Sequence, residues 1–305
     1  MKLNPFHPLS RGLQTAYLFN ECGGNTLYDS VGTKTGTLTS GPAWTEELGI
    51  SGLKFVAGSS QYVTIDETID TSGEISVAFG NYVSTAASNY PVTFGGYGTH
   101  VTNDRFLAHA PSTDDILYWD YGDSGGTGRV SIDYTSYLGK LTNIVLVSEG
   151  IGGSFKGIYL NGVLANSVAS SDGPSGTITI ELGRFNGSNY NSGILTYLYI
   201  YNRRLSAEEA MWLDLDPYGM FVPDFTPIGI LLGGVDSENK RRSVMSTYWH
   251  PMYQTSDGSI SAQDRMQIAG LYSGILSGSP GAAQTTIFGL ENGKNNFIFG
   301  GQVIR

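Results

Sequence analysis

Tyr199-Ile-Tyr-Asn-Arg-Arg-Leu-Ser-Ala-Glu-Glu-Ala210 reads as a β-strand running directly into a capped helix. Tyr199, Ile200 and Tyr201 suit a pleated, half-buried strand. Ser206 followed three residues later by Glu209 forms a capping box, in which each side chain takes an orphan backbone N–H of the first helical turn. The spacing therefore ends a strand near Asn202 and starts a short helix after Ser206.

Upstream of this junction the chain is a series of short β-prone runs separated by Gly, Asn, Asp and Ser, at 14–19, 53–55, 62–65, 75–83, 143–147, 157–160, 177–182 and 194–201. Asn161-Gly162 lies between Ile158-Tyr-Leu160 and Val163-Leu164 and is the pair that accepts positive φ at both central positions of a type I′ hairpin. Among 305 residues there are 42 glycines, 12% aromatics and only 14% charged residues, a mixture that favours many strands joined by tight turns. No helical crossover pattern interrupts the runs. The expected fold is mainly β: an antiparallel two-sheet jelly-roll sandwich with a short capped helix and a small C-terminal α+β module.

Downstream, Asp216-Pro217-Tyr-Gly219 opposes continuation of the helix and marks a domain end. The expected organisation is a jelly roll over 1–218, an apolar Pro/Gly linker over 219–234 and a helix-plus-hairpin assembly module over 235–305. In the last part, Ser261-Ala-Gln-Asp264 starts a helix whose apolar face carries Met266, Ile268, Ala269, Leu271, Tyr272, Ile275 and Leu276. Segments 285–290 and 296–299 then bracket a turn at Asn292-Gly293. The apolar residues Ile228, Leu231, Leu232, Phe288, Phe297 and Phe299 are expected to contact another surface, which predicts homo-oligomers.

A formal net charge of −10 opposes non-specific association with nucleic acid or an anionic membrane, and the basic run Lys240-Arg-Arg242 reads as a solvated turn. One cysteine, Cys22, allows no intrachain disulfide and is expected to be structural. The first eleven residues contain no apolar stretch of the signal-peptide kind, and no segment approaches the ~20 apolar residues of a membrane span.

Gly122-Asp-Ser-Gly-Gly126 resembles the nucleophile loop of trypsin-like proteases, but His7, His100, His109 and His250 stand in no matching context, and the segment reads as a polar hairpin loop. No histidine pair at helical spacing suggests zinc, and no glycine-rich phosphate loop is present. Asp114, Asp115 and Asp120 are acids in a Gly/Ser-rich stretch and read as solvated loop residues rather than a glycosidase pair. Tyr90, Tyr97, Tyr118, Trp119 and Tyr121 are placed in long middle loops. There Tyr97, Tyr118, Trp119 and Tyr121 are the candidate glycan contacts, the alternative being that they pack in the sandwich or at a subunit contact.

Three segments in order carry a family resemblance: Ala16-Tyr-Leu-Phe-Asn-Glu-Cys-Gly-Gly-Asn-Thr-Leu-Tyr-Asp-Ser-Val-Gly32 with Gly36-Thr-Leu-Thr39, Ile158-Tyr-Leu-Asn-Gly-Val163, and Ile200-Tyr-Asn-Arg-Arg-Leu-Ser-Ala-Glu-Glu209. Over about residues 12–215 the chain resembles laminin-G-like, concanavalin A-like jelly-roll domains. Asn4-Pro-Phe-His-Pro-Leu-Ser-Arg-Gly-Leu13, Asp257-Gly-Ser-Ile-Ser-Ala-Gln-Asp-Arg265 and Leu271-Tyr-Ser-Gly-Ile275 are similar to segments of laminin-G-type proteins of tailed bacteriophages.

Many family members bind Ca²⁺ at a sandwich edge through acidic side chains, and the resemblance places Asp29 there, as a ligand or as a turn cap. What the resemblance implies is a non-enzymatic virion structural protein, either capsid-decorating or of the tail, made in the host cytoplasm and bound to other virion proteins and to copies of itself. The alternative is an adhesion module recognising host-surface glycans.

Overall fold

The computed structural model describes residues 1–222, apart from 71–72, 87–88, 99–103, 124–127 and 176, together with 285–287 and 299–301. The chain divides into two units, Met1–Asp224 and Phe225–Arg305. In the first unit the strands begin with β1 (Lys2–Leu3), β2 (Leu13–Tyr17), β3 (Thr26–Tyr28), β4 (Thr35–Thr39), β5 (Ala43–Thr45) and β6 (Gly52–Phe55). They continue with β7 (Tyr62–Asp70), β8 (Ile75–Tyr82), β9 (Phe94–Tyr97), β10 (Arg105–His109), β11 (Ile116–Gly122) and β12 (Arg129–Asp133). The last are β13 (Leu141–Ser148), β14 (Lys156–Leu160), β15 (Val163–Val168), β16 (Thr177–Leu182), β17 (Gly193–Tyr201) and, after helix α1 (Ala207–Leu215), β18 (Phe221–Val222).

Two antiparallel sheets form a sandwich. One runs β12-β11-β10-β9-β16-β7-β4-β3, the other β15-β14-β13-β8-β17-β6-β5 with β2 also paired to β17. Alternation along the strands decides which side chains meet between them. Val77 and Phe79 of β8, Ile144 and Leu146 of β13 and Leu198 and Ile200 of β17 share one core with Phe94, Phe106 and Trp119 of the facing sheet. Phe79 meets Phe94 edge-on across the sandwich, ring centroids 5.5 Å apart, and Phe106 meets Trp119 at 5.4 Å. Such aromatic pairs contribute about 0.5–1.5 kcal/mol beyond their burial.

The opening stretch of sequence closes this architecture. On β17 the intervening residues Tyr197, Tyr199 and Tyr201 point to the outer face, where they join Leu205, Ala210, Leu213, Met220 and Phe221 in a second core. Their hydroxyls are not stranded: Tyr197 donates to Asn143 Oδ1 at 3.1 Å and Tyr199 to the Pro217 carbonyl at 3.0 Å. The capping box is present in both directions, Glu209 N–H to Ser206 Oγ at 3.2 Å and Ser206 N–H to Glu209 Oε2 at 2.9 Å. Arg203 grips the same glutamate with two bonds of 2.7 Å. Strand β18 then pairs with β1, so the two ends of the unit lie side by side.

The Asn161-Gly162 hairpin joins β14 to β15 with φ of 47° and 75°, as the type I′ reading requires. Side chains bridge both open sides of the sandwich. Asn166 Nδ2 of edge strand β15 donates to the Ser131 carbonyl of edge strand β12 at 2.7 Å, and Trp44 Nε1 of β5 donates to the Gly24 carbonyl beside β3 at 2.9 Å. Lys156 is fully buried at the start of β14 and donates to the Tyr121 carbonyl at 2.6 Å.

In the second unit, β19 (Thr285–Ile287) pairs antiparallel with β20 (Phe299–Gly301), Ile287 opposite Phe299. The helix expected after Ser261, and Ile228, Leu231, Leu232, Phe288 and Phe297, lie outside the described residues. Among the described residues no helix is long and apolar enough to cross a membrane.

Candidate functional site

The middle region expected as long loops is instead a meander of four strands, β9 to β12, and this changes the standing of its aromatics. Leu117, Trp119 and Tyr121 alternate on β11 and face the core, all completely buried, while Tyr118 and Asp120 take the other face. For Trp119 and Tyr121 the glycan-contact reading is therefore corrected in favour of its alternative, packing in the sandwich. Trp119 also has no acceptor for its indole N–H among the described residues, so packing alone holds it. Tyr118 is half-buried, its ring is covered by the Arg129 guanidinium at 4.3 Å and its hydroxyl donates to Asp114 Oδ2 at 2.6 Å. Of the four candidates only Tyr97, 37% exposed, keeps an open ring.

Tyr97 borders a depression of about 410 Å³ on the outer face of this sheet. It is lined by Gly95, Gly96, Tyr97, Thr179, Glu181 and the turn carrying Phe185, Asn186 and Gly187. The turn is a second Asn-Gly hairpin: Phe185 and Ser188 exchange backbone bonds of 3.0 Å around Asn186 (φ 50°) and Gly187 (φ 71°). Gly95 makes room for it, because a Cβ there would lie 2.7 Å from Leu107 Cβ and 3.3 Å from the Phe185 ring. Phe185 in turn meets Tyr97 edge-on at 5.6 Å, and the Tyr97 hydroxyl donates to Asn186 Oδ1 at 3.3 Å.

Charges border the depression in closed pairs. Glu181 receives two bonds from Arg184, one from Nε at 2.8 Å and one from Nη2, and Arg184 lies flat on Tyr62 at 3.3 Å from the ring centroid. Hydrogen bonding to Glu181 pushes the Arg184 pKa further above its usual range. On the neighbouring strands, Asp120 is fully buried and receives Arg129 through Nε at 2.5 Å and Nη2 at 2.7 Å, with Arg105 Nη1 at 3.3 Å. Burial alone would lower the Arg129 pKa, but its bonds to Asp120 and the charge there raise it on balance. Arg105 also sits over the Phe185 ring at 5.7 Å. His109 is buried on the same face, its Nδ1 2.7 Å from the Pro91 carbonyl, and desolvation lowers its pKa.

Asp29 lies far from this face in role. Its Oδ1 accepts the N–H groups of Ala16 and Val31 and its Oδ2 that of Gly32, all at 2.9 Å. A Cβ on Gly32 would come within 2.5 Å of Oδ2. Three backbone donors thus occupy the carboxylate as a clamp between β2 and the turn after β3. These bonds are those of a turn cap, and among the described residues no group of three or more His, Cys, Asp and Glu gathers as metal ligands.

The sequence signal for the depression was available in Phe185-Asn-Gly-Ser188, which repeats the Asn-Gly grammar of the β14–β15 hairpin. Its partners Gly95 and Glu181 carry no such local mark, since only the β9–β16 pairing sets them opposite each other.

No curated protein matches the chain. Among solved structures it is similar to the binding domain of botulinum neurotoxin DC in complex with SialylT (13% identity, TM-score 0.52) and to the same domain in complex with rat synaptotagmin II (13%, 0.51). It is also similar to the binding domain of botulinum neurotoxin serotype G (16%, 0.53). Each likeness covers 67% of this chain and 51% of the other, so the chain spans about half the length of these structures, and at such identity the likeness is one of fold. The family described as the concanavalin A-like lectin/glucanases superfamily matches residues 57–211, just over half of the 305 residues and most of both sheets. The sandwich and this match together make the chain a member of the concanavalin A-like lectin/glucanases superfamily.

Proposed function

We propose that the first unit is a non-catalytic carbohydrate-binding module that recognises surface glycans through the Tyr97 depression. The observation that carries this reading is the exposed Tyr97 ring in a depression whose lining also holds a carboxylate, Glu181, and an amide, Asn186. A pyranose has one apolar face and a polar rim, and that combination matches an aromatic wall with a few convergent polar groups. A structural neighbour is solved in complex with SialylT, which supports glycan binding by a domain of this fold and says nothing of the position or the sugar class of a site in this chain. A non-catalytic role is favoured because two of the three candidate acids of the middle region are committed, Asp120 to two arginines and Asp114 to Tyr118.

A glycan array probed with the full chain tests the proposal. Binding is expected on the array and is expected to fall at least about tenfold, roughly 1.4 kcal/mol, in Tyr97→Ala. A silent array, or binding indifferent to Tyr97→Ala, sinks it.

A place on a phage particle remains a separate proposal. It is supported by the resemblance of 4–13, 257–265 and 271–275 to tailed-phage proteins, and a surface adhesin is compatible with glycan binding. Purified particles of the source phage that lack this polypeptide by mass spectrometry would dispose of it.

A further inference from the structure

Resting on the glycan-binding reading, we propose that the Tyr97 depression selects a neutral hexopyranose, at the scale of a mono- or disaccharide, and discriminates against sugars bearing a carboxylate. The argument is one of charge accounting. An acidic sugar is held by charge-assisted bonds, for which a site must present a guanidinium or ammonium group with donors to give. Arg184 spends Nε and Nη2 on Glu181 and lays its plane on Tyr62. Arg105 is engaged by Asp120, lies over the Phe185 ring and is not part of the lining.

The charged lining residue is Glu181, which Arg184 neutralises, so the lining offers an acidic sugar no free cation and disfavours it, while the carboxylate oxygens still accept hydroxyl groups of a neutral sugar. Asn186 is exposed, gives its Oδ1 to Tyr97 and leaves its Nδ2 hydrogens for a ligand oxygen. The volume of about 410 Å³ is at the small end of ligand sites, which run from ~300 to ~1,000 Å³, and suits a short saccharide. A formal net charge of −10 adds a long-range term of the same sign.

The experiment titrates the full chain with lactose, maltose and cellobiose, and with 3′-sialyllactose and a glucuronic acid-terminated disaccharide, by saturation-transfer NMR at ~0.15 M salt. At least one neutral sugar is expected to bind about tenfold or more tightly than either acidic probe. Glu181→Gln, which breaks the ion pair and leaves the Arg184 charge uncompensated beside the depression, is expected to shrink that ratio to about threefold or less. Acidic probes bound as well as or better than the neutral ones overturn the selectivity and leave the glycan reading standing. A ratio unchanged in Glu181→Gln also overturns it. No binding to any probe here, together with a silent array, removes the glycan reading itself and the selectivity with it. Tyr97→Ala serves as the site control, and neutral binding that survives it unchanged overturns the assignment to this depression.

Discussion

Asp120→Asn offers the sharpest perturbation of the meander that supports the depression. The carboxylate is fully buried and takes three guanidinium bonds, from Arg129 at 2.5 and 2.7 Å and from Arg105 at 3.3 Å. An amide of the same shape keeps one acceptor oxygen and turns an NH₂ group toward a guanidinium, so at least one charge-assisted bond of about 1.5–3 kcal/mol is lost. Both guanidinium groups also lose this carboxylate as a counter-charge. Breaking a buried pair in this way costs about 3–5 kcal/mol. The arginine side chains are 29% and 21% exposed, so water recovers part of the loss and the lower end, about 3 kcal/mol, is expected.

Urea unfolding followed by circular dichroism reads this as a lower midpoint at unchanged slope. Arg129→Gln added to Asp120→Asn is expected to cost less than the sum of the two single changes, because the orphaned charge has gone. A loss below about 1 kcal/mol for Asp120→Asn, or strict additivity in the double variant, would refute the view that this carboxylate organises β10 to β12.

Trp119→Ala is expected to destabilise the unit by about 3–5 kcal/mol in the same assay. Trp119→Phe should cost less than half as much, because it keeps much of the packing and removes a buried donor that has no acceptor. Ser206→Ala removes one half of the capping box and should cost about 1 kcal/mol, whereas Ser206→Asp should restore most of it.

Stability should also have a maximum on the alkaline side of neutrality. Burial holds the Lys156 pKa down at about 8, so from pH 8 upward the unfolded chain binds a proton that the folded one has released, and stability rises by about 1 kcal/mol per pH unit. Above pH 10 the sign reverses. Burial raises the pKa values of Tyr197, Tyr199 and Tyr201, and pushes that of Tyr218 up to about 12, so the unfolded chain ionises first and the native state loses ground. Thermal melts across pH 7–11 check both limbs, and Lys156→Met should remove the first while leaving the second.

The sandwich was legible wherever a local rule and the tertiary demand agreed. Ser206 and Glu209 define a helix start by themselves, Asn161-Gly162 defines a hairpin by itself, and the runs at 75–83 and 194–201 are long enough to show their alternation. The β9–β12 meander was not read because its strands are weakly marked. Phe94-Gly-Gly-Tyr97 has too few β formers, and Arg105 and Asp120 look like loop residues until they are paired across strands.

The choice between the two readings of the aromatics depends on the same strand: without it, nothing says that Trp119 points in and Tyr118 out. Alternation in Leu117-Tyr-Trp-Asp-Tyr121 holds that information, but it is masked by aromatics on both faces. The depression is less legible still, since it exists only where β9 meets β16 and the next turn folds back over Gly95.

The two side-chain bridges across the open sides of the sandwich bear on how the protein keeps from associating strand to strand. An open sheet invites an incoming strand at each edge, and edge strand β15 is the inviting one here, with Val163 70% exposed and Leu164 45%. Ser131 on β12 already spends its carbonyl on Asn166, and Gly24 beside β3 spends its own on Trp44, so at each seam an acceptor that a foreign strand would need is occupied from within. Asn166→Ala and Trp44→Phe would reopen those acceptors. Their first consequence should be a shorter lag before aggregation at temperatures where the fold is still intact.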